Sequence, residues 1–499
     1  MALLTCRVGV IKLRISIVGH HYEYDFRNIA NIFLEQEACT IAHDLEPSDK
    51  GHQIVSKLED KDVRTLTTGL YTDGQLVKEW VSFVDPKLDT IMFKKRTKRT
   101  LVRQLYEALS MCHDALSKWG VLVGVRPTKL CHELMDQGHD DDEIRKILDE
   151  DYFLSEEKVN LLLEICHLER PYIYPIKEDR FSIYLSIPFC PTRCLYCSFP
   201  SYAVAGREKE IEAYTEKLIY EITETAKSLD VTKVDTIYFG GGTPAVLSSE
   251  QIKRIVKAIN DNYDVSSLRE FTFEAGRPDA IDEPLLETLK ELGVDRVCVN
   301  PQTMDDRTLE IIGRKHNVEQ TVRAMAMVKK YNFDAVNMDL IVGLPEETLS
   351  DAKLSIDSVL KLKPENITVH TLAIKRSSRL NRERDDYELP NEHLVEDMLS
   401  TIDEEVRAQG YVPYYMYRQK YMLGNLENVG YTLKDKASIY NMMIMEEKQT
   451  ILAFGAGASS KFFYPSEDRF ERVHNVKSLE DYLSRVDEMV KRKVEVMKS

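Results

Sequence analysis

Residues 182–199 read SIYLSIPFCPTRCLYCSF. A strand-like run, SIYLSI, leads straight into a loop that carries Cys190, Cys194 and Cys197 at C-x3-C-x2-C spacing. Thiolates so spaced can bind three irons of a [4Fe–4S] cluster from one short loop, which leaves the fourth iron open for a chelating substrate. Zinc would want a fourth Cys or His close by, and none lies between His167 and Cys298.

The pattern continues downstream. Short β-branched runs, VDTIYF, FTFEA, VDRVCV, AVNMDLIV and ITVHTL, alternate with helical stretches such as EIEAYTEKLIYEITETAKSL and SEQIKRIVKAINDNY. Six β-then-α units in succession predict an α/β fold, a parallel sheet left open or curled into a partial (β/α)6 barrel, with helices outside it. Chemistry in such folds collects at the C-terminal strand ends. This core, residues 171–370, is flanked by an N-terminal extension, 1–170, that reads α+β and then helical. A more irregular C-terminal region of α/β type, 371–499, follows it. Within the extension, Val8, Val10, Leu13, Ile15 and Ile17 read as a strand and residues 26–37 as a helix. Thr72-Asp73-Gly74 is a hairpin signal, and the basic run Lys94–Thr100 opens a long helical pattern.

Composition bounds the rest. A chain of 499 residues has room for roughly three domains. With 67 basic against 83 acidic residues, net charge −16, it offers no blanket surface for nucleic acid or anionic membrane. No stretch reaches the roughly 18 uninterrupted apolar residues of a membrane span. Arg7, Lys12 and Arg14 break the apolar run at the N-terminus, so a secretory leader does not fit. Nine cysteines, three of them clustered, argue against a disulfide framework. A cytoplasmic, monomeric protein is expected.

The motif and its position resemble the radical S-adenosylmethionine (SAM) enzymes. Beyond the cysteines, Tyr184 and IPFC, GGGTP at Gly240–Pro244, Glu274, Gln302, GRKH from Gly313 and MDLIVGLP from Met338 follow the order seen in oxygen-independent coproporphyrinogen III dehydrogenases. The long N-terminal extension, GVRPTKL included, resembles the HemZ branch of that family. The resemblance implies a [4Fe–4S] cluster on Cys190, Cys194 and Cys197, with SAM on its open iron, one molecule or two. It implies that Gly240, Gly241, Gly242 and Thr243 receive the SAM amino group, and that Glu274 holds the ribose hydroxyls. Arg314 would pair with the SAM carboxylate, while Gln302 and Asp339 would contact its ribose or a second SAM. Tyr184 would support the bound SAM or the substrate, and Tyr196 would shield the cluster or touch the adenine. Three side-chain-free residues in a row also suit close backbone approach to a ligand on physical grounds.

The implied reaction is oxidative decarboxylation of coproporphyrinogen III. SAM is split reductively to methionine and a 5′-deoxyadenosyl radical, which takes hydrogen from a propionate. Loss of CO2 and one electron leaves a vinyl group, and two rounds give protoporphyrinogen IX. A reduced flavodoxin or ferredoxin-type donor is the implied partner. Two alternatives come from the same superfamily: a haem chaperone, whose C-x-F ending matches Cys197-Ser198-Phe199, and a haem-degrading methyltransferase. The glycine turn FGAGASS (454–460) and the cluster Tyr414, Tyr415, Tyr417, Arg418, Gln419 and Asn428 are candidates to line a tetrapyrrole cavity. Arg376, Arg379 and Arg418 are candidates to meet its carboxylates. The Cys112-His113, Cys131-His132 and Cys166-His167 pairs sit in helical patterns, where adjacent side chains diverge, so they are not expected to form a site.

Overall fold

The computed structural model describes residues 13–34, 39–43, 51–60, 64–85, 90–112, 117–123, 126–419 and 422–498. Val8 and Val10, the end of the 26–37 helix, His113, Gly124 and Val125 lie outside the described residues. Two compact units divide the chain, Met1–Leu163 and Glu164–Ser499. Among the described residues no helix is long and apolar enough to cross a membrane.

The first unit is a five-stranded sheet, ordered 39–42, 13–18, 52–60, 64–72, 75–84. Its last two strands form the hairpin signalled by Thr72-Asp73-Gly74. Asp73 and Gly74 both have positive φ (48° and 77°), as a two-residue turn that matches strand twist requires. Helices Glu23–Phe33 and Thr90–Ser110 join the sheet in one core that includes Ile15, Phe26, Leu66 and Leu105. The basic run rides on the second helix. Lys98 lies 3.5 Å from Asp25 and Arg99 3.4 Å from Asp151, so part of its charge is compensated within the unit.

The second unit is built on six parallel strands that neighbour one another in chain order. These are β1 (Arg180–Ile187), β2 (Lys233–Gly241), β3 (Glu270–Gly276), β4 (Arg296–Val299), β5 (Ala335–Val342) and β6 (Asn366–Thr371). The intervening chain supplies helices α1 (Glu208–Ala226), α2 (Ser249–Asn262), α3 (Glu283–Glu291), α4 (Val318–Lys330) and α5 (Leu349–Leu362). Reciprocal capping boxes, Ser248 with Gln251, Asn317 with Gln320 and Thr348 with Asp351, start α2, α4 and α5. Residues beyond 371 extend the same sheet at both edges. β7 (Val412–Tyr417) and β8 (Asn428–Thr432) follow β6, and β9 (Ile451–Phe454), β10 (Ser459–Tyr464) and β11 (Arg469–His474) follow β1, giving eleven strands.

The register of the six strands decides what lies inside. Ile183, Leu185, Phe239, Phe273, Val297, Met338, Leu340, Ile367 and Val369 alternate along the strands and are buried. Each contributes about 1.5–3 kcal/mol of burial. The alternate positions are polar: Ser182, Tyr184 and Ser186 on β1, Thr272 and Glu274 on β3, Cys298 on β4, Asn337 and Asp339 on β5, Thr368 and His370 on β6. An array filled this way is a ligand cavity rather than a packed core.

FGAGASS proves to be a structural turn. It is absent from the residues lining the cavity described below, and a buried carboxylate holds it. The Gly455 amide donates to Glu221 Oε2 at 2.8 Å, Tyr482 donates to the same oxygen at 2.6 Å, and Asn475 donates to Oε1 at 2.7 Å. Lys493, on the closing helix α6 (Leu479–Met497), completes the shell at 2.5 Å. Both charged side chains are fully buried. Removing one partner of such a pair strands the other charge, at a cost of about 3–5 kcal/mol. Lys493→Met should therefore lower the urea midpoint by that amount of stability, while Glu221→Gln with Lys493→Met together should cost less than the single change.

Candidate functional site

The cysteine loop is held by its backbone. Phe189–Cys190 pairs in parallel with Tyr202–Ala203, and the Tyr202 and Val204 amides donate to Pro188 and Cys190 carbonyls at 2.8 and 3.1 Å. In between, Leu195 is the anchor: 1% exposed, its amide on the Ile312 carbonyl at 2.9 Å, its side chain among Leu309, Ile312, Leu344, Leu372 and Leu380. Burying that one leucine leaves Cys194 and Cys197 half-buried on the cavity side, and Cys190 joins them there.

The glycine turn after β2 packs beneath this loop. The Gly242 amide donates to Ile187 O at 2.7 Å and the Thr243 amide to Phe189 O at 2.8 Å. A Cβ on Gly242 would fall 2.5 Å from the Phe189 oxygen and 2.9 Å from Cys190 Sγ. Gly241 has φ 106°, and a Cβ on Gly240 would press on Tyr238, Glu274 and Tyr184. The room these residues leave is therefore filled largely by the protein's own loop and side chains.

Cys190, Cys194 and Cys197 form no disulfide. Burial pushes the Cys190 thiol up to about 11 and raises that of Cys197. Thiolates here need positive charge brought by a metal centre. Among the described residues, the groups compact enough for a single ion, with ligand atoms all within 4.8 Å of one another, do not include these three sulfurs. The spread suits a multi-iron cluster, with one thiolate on each of three irons, rather than one zinc.

The cavity has a volume of about 370 Å³ and sits at the C-terminal strand ends. It collects Tyr196, Gly241, Gly242, Thr243, Glu274, Gln302, Arg314 and Asp339 together with the cysteines. Gly240 and Tyr184 are not among its lining residues. Tyr184 packs against Tyr238 and Tyr440, with ring centroids 6.0 and 6.2 Å away, while those two stack on each other at 4.5 Å, so it backs the wall rather than facing the cavity.

Several groups in the cavity are held but unsatisfied. Arg314 donates to the Asn300 carbonyl at 2.6 Å and to Tyr196 Oη at 3.4 Å, yet its Nε has no partner. Asn300 Oδ1 and Gln302 Oε1 are likewise buried without a partner. Gln302 has φ 74°, a left-handed conformation rare for a side-chain-bearing residue, and pairs with β5 through the Asp339 carbonyl and the Ile341 amide. Unpaired buried polar atoms around a cavity are costly unless a ligand satisfies them. Their amide, guanidinium and carboxylate chemistry fits an amino-acid nucleoside such as SAM.

Two carboxylates share the space. Burial, then the neighbouring Asp339, pushes Glu274 up to about 8, against contacts from Tyr238 (3.5 Å) and Asn300 (3.4 Å). Asp339 accepts from Asn337 at 2.7 Å and lies 3.6 Å from His370 Nε2, whose Nδ1 is 3.1 Å from Tyr417 Oη. His370, Asn300 and Tyr238 escaped the sequence reading, although each lies on, or just past, a strand it had drawn and continues that strand's polar alternation.

The far wall carries Tyr414, Tyr415, Tyr417, Gln419 and Asn428. Arg418 does not join them. It is buried, donates to the Asn425 carbonyl, and burial pulls it down to about 10. Arg376 and Arg379 are exposed, and Arg379 is paired with Glu383 at 3.1 Å. The three arginines expected to meet substrate carboxylates therefore do not line the cavity.

An open parallel β/α array with a three-cysteine loop and a polar cavity at its rim fits the iron–sulfur class of α/β proteins. Residues 184–359 match the radical SAM superfamily model. The chain is 38% identical over 497 residues to the oxygen-independent coproporphyrinogen-III oxidase-like protein HemZ of Bacillus subtilis (strain 168), covering 97% of this chain and 98% of that protein. It is 32% identical over 280 residues to the heme chaperone HemW of Lactococcus lactis subsp. lactis (strain IL1403), covering 56% of this chain and 69% of that one. The fold is similar to that of coproporphyrinogen III oxidase (HemN) from Escherichia coli, with TM-score 0.52 at 22% identity over 65% of this chain and 73% of that chain. The chain belongs to the coproporphyrinogen-III oxidase-like family of the radical SAM superfamily. Its cofactors are those of the superfamily, a [4Fe–4S] cluster and SAM.

Two outcomes follow from this geometry. Gly242→Ala should cut the iron bound after anaerobic reconstitution several-fold, measured per folded chain, because its Cβ must displace Phe189 O or Cys190 Sγ. Glu274 has its carboxyl raised in the fold, so the native state holds the proton more tightly than the unfolded one. Stability of the cofactor-free protein should then fall as pH rises from about 4.5 to about 8. Glu274→Gln should flatten that part of the Tm-versus-pH curve.

Proposed function

We propose that the chain is an oxygen-independent coproporphyrinogen III dehydrogenase, which converts two propionates of its substrate to vinyls to give protoporphyrinogen IX. In this reading Cys190, Cys194 and Cys197 hold the cluster. The observation that carries it is the convergence on one cavity of those cysteines and the unpartnered Asn300 Oδ1, Gln302 Oε1 and Arg314 Nε. The end-to-end similarity to a coproporphyrinogen-III oxidase-like relative supports the choice of substrate. Bound together, a reduced cluster and SAM supply a one-electron cleavage of the sulfonium to methionine and a 5′-deoxyadenosyl radical able to take hydrogen from an unactivated carbon.

The chain's own residues do the positioning. Arg314, already fixed by Asn300 and Tyr196, would pair with the SAM carboxylate, and the Gly241–Thr243 end of the turn, which lines the cavity, would accept its amino group. Glu274 would take the ribose hydroxyls, while Gln302 and Asp339 bound the same space. The stacked rings of Tyr184, Tyr238 and Tyr440 would keep water from that side, which a carbon radical requires. Tyr414, Tyr415 and Tyr417 offer a broad aromatic wall for a tetrapyrrole. The substrate gives up one hydrogen, CO2 and one electron per vinyl formed. A flavodoxin or ferredoxin-type protein would supply the reducing electron for the cluster.

A second reading, haem carriage, is favoured by a different observation. Phe199, the aromatic of the C-x-F ending, is 60% exposed at the cavity rim, and a heme chaperone relative matches 280 residues of this chain. Anaerobic reconstitution with coproporphyrinogen III, SAM and a reductant separates the two. The dehydrogenase should yield a product lacking two carboxyl groups by mass spectrometry. Cys190→Ala, Cys194→Ala or Cys197→Ala should abolish both cluster and product. If 5′-deoxyadenosine accumulates while the tetrapyrrole is unchanged, the substrate assignment fails. Stoichiometric haem binding without product would select the carrier.

A further inference from the structure

Five cationic side chains line the cavity: Arg193, Arg277, Arg296, Arg314 and Lys375. Arg277 and Arg296 are paired with carboxylates, and Arg314 is held on neighbouring groups with its Nε open. Arg277 makes a two-pronged pair with Asp279, Nε and Nη2 each at 2.9 Å. Arg296 donates to Asn366 and to the Lys436 carbonyl and lies 3.6 Å from Glu270. Arg314 is held on Asn300 and Tyr196.

Lys375 is different. It stands four residues past the end of β6, half-buried, and among the described residues no carboxylate pairs with it. Burial alone pulls its ammonium below the usual lysine range. A charge kept partly out of water without a counter-ion is destabilising, so the fold tolerates it at a cost.

The loop that carries Lys375 is also tied down. Its carbonyl accepts from the Ser378 amide at 2.9 Å and the Ser378 hydroxyl at 2.7 Å. Ser377 then reaches the cysteine loop twice: its hydroxyl donates to the Ser198 carbonyl at 3.2 Å, and its carbonyl accepts from Arg193 Nη2 at 3.3 Å. Lys375 is thereby set at a fixed place beside the cysteines, with Arg193, which pairs with no carboxylate among the described residues, next to the tether. Tyr414, Tyr415 and Tyr417 stand on the wall of the same cavity.

We propose that Lys375, assisted by Arg193, is the seat for a carboxylate of the ligand that enters this cavity. The inference rests on the reading of the ligand as a carboxylate-bearing tetrapyrrole, and it names the contact that aims one acid arm at the cysteine loop. Arg376, the neighbouring residue, points to solvent and cannot serve.

The test is binding rather than turnover, on the full-length, cluster-loaded protein under anaerobic conditions. Coproporphyrin III is titrated by absorbance and fluorescence, with its methyl ester as the probe lacking free acids. Wild type should prefer the free acid. Lys375→Ala should weaken it about ten- to a hundredfold, the range of one charge-assisted contact, Lys375→Glu more, and Lys375→Arg only a few-fold. Affinity for the ester, and for SAM, should stay unchanged in all three. Equal free-acid affinity in wild type and Lys375→Ala overturns the subsite while leaving the tetrapyrrole reading intact. So does a loss that falls on SAM instead. A wild type that binds neither porphyrin nor haem removes the tetrapyrrole reading and the subsite with it.

Discussion

The contact on which the site depends is the docking of the Gly240–Gly242 turn against the cysteine loop. Two backbone hydrogen bonds, Gly242 N to Ile187 O and Thr243 N to Phe189 O, join them. They form only because residue 242 has no side chain, since a Cβ would lie 2.5 Å from one of the carbonyls involved in that junction. The consequence reaches further than local packing. Cys190 Sγ lies 2.9 Å from where a Cβ on residue 242 would be, so the same absence lets the first sulfur approach the turn this closely. Strand β2 therefore positions the thiolate through a vacancy rather than a contact.

The second constraint is the register of the six strands. A closed barrel of this size is ordinarily filled by apolar side chains from its own strands. Here the inward positions are Ser, Thr, Tyr, Glu, Asn, Asp and His, and the apolar positions all turn to the helices. Polar groups turned inward cost free energy unless bonded. Most find partners along the strands, as in Thr368 to Asn337 at 3.0 Å and Asn337 to Asp339 at 2.7 Å. The exceptions include Asn300, Gln302 and Arg314 at the C-terminal rim, and Asn366 Nδ2 at the opposite end of β6. Those at the rim face the cavity, where a ligand can satisfy them.

How far this was legible depends on the range of the interaction. The strands and their order follow from local patterning, and so does the Asp73-Gly74 hairpin, because strand alternation and turn chemistry are properties of adjacent residues. The cysteine loop is local too. What failed was reach. Nothing in the neighbourhood of FGAGASS announces that Glu221 and Lys493, 272 residues apart, converge to hold it. Arg376 and Lys375 are adjacent and chemically alike, and only the tether from Ser377 and Ser378 decides which faces the cavity. Tyr184 lies on an inward-facing strand position, yet Gly240 lets it fold back against Tyr238. His370 and Asn300 were within reach, since the period of two that places Asp339 inward places them inward as well.

Charge ties these constraints together. Glu274 and Asp339 share a cavity with low access to water, and at neutral pH the repulsion is relieved by a proton on Glu274, whose carboxyl is pushed up to about 8. With that proton in place, Glu274 adds no charge to a lining in which Arg193, Arg314 and Lys375 have no carboxylate partner among the described residues. Such a lining favours anions, which suits three thiolates and a ligand carboxylate at once. A cationic group entering near Glu274 would reverse the local balance and draw the proton off. The raised Glu274 carboxyl and the half-buried Lys375 ammonium are thus two halves of one arrangement, since burial works against the charged form of each.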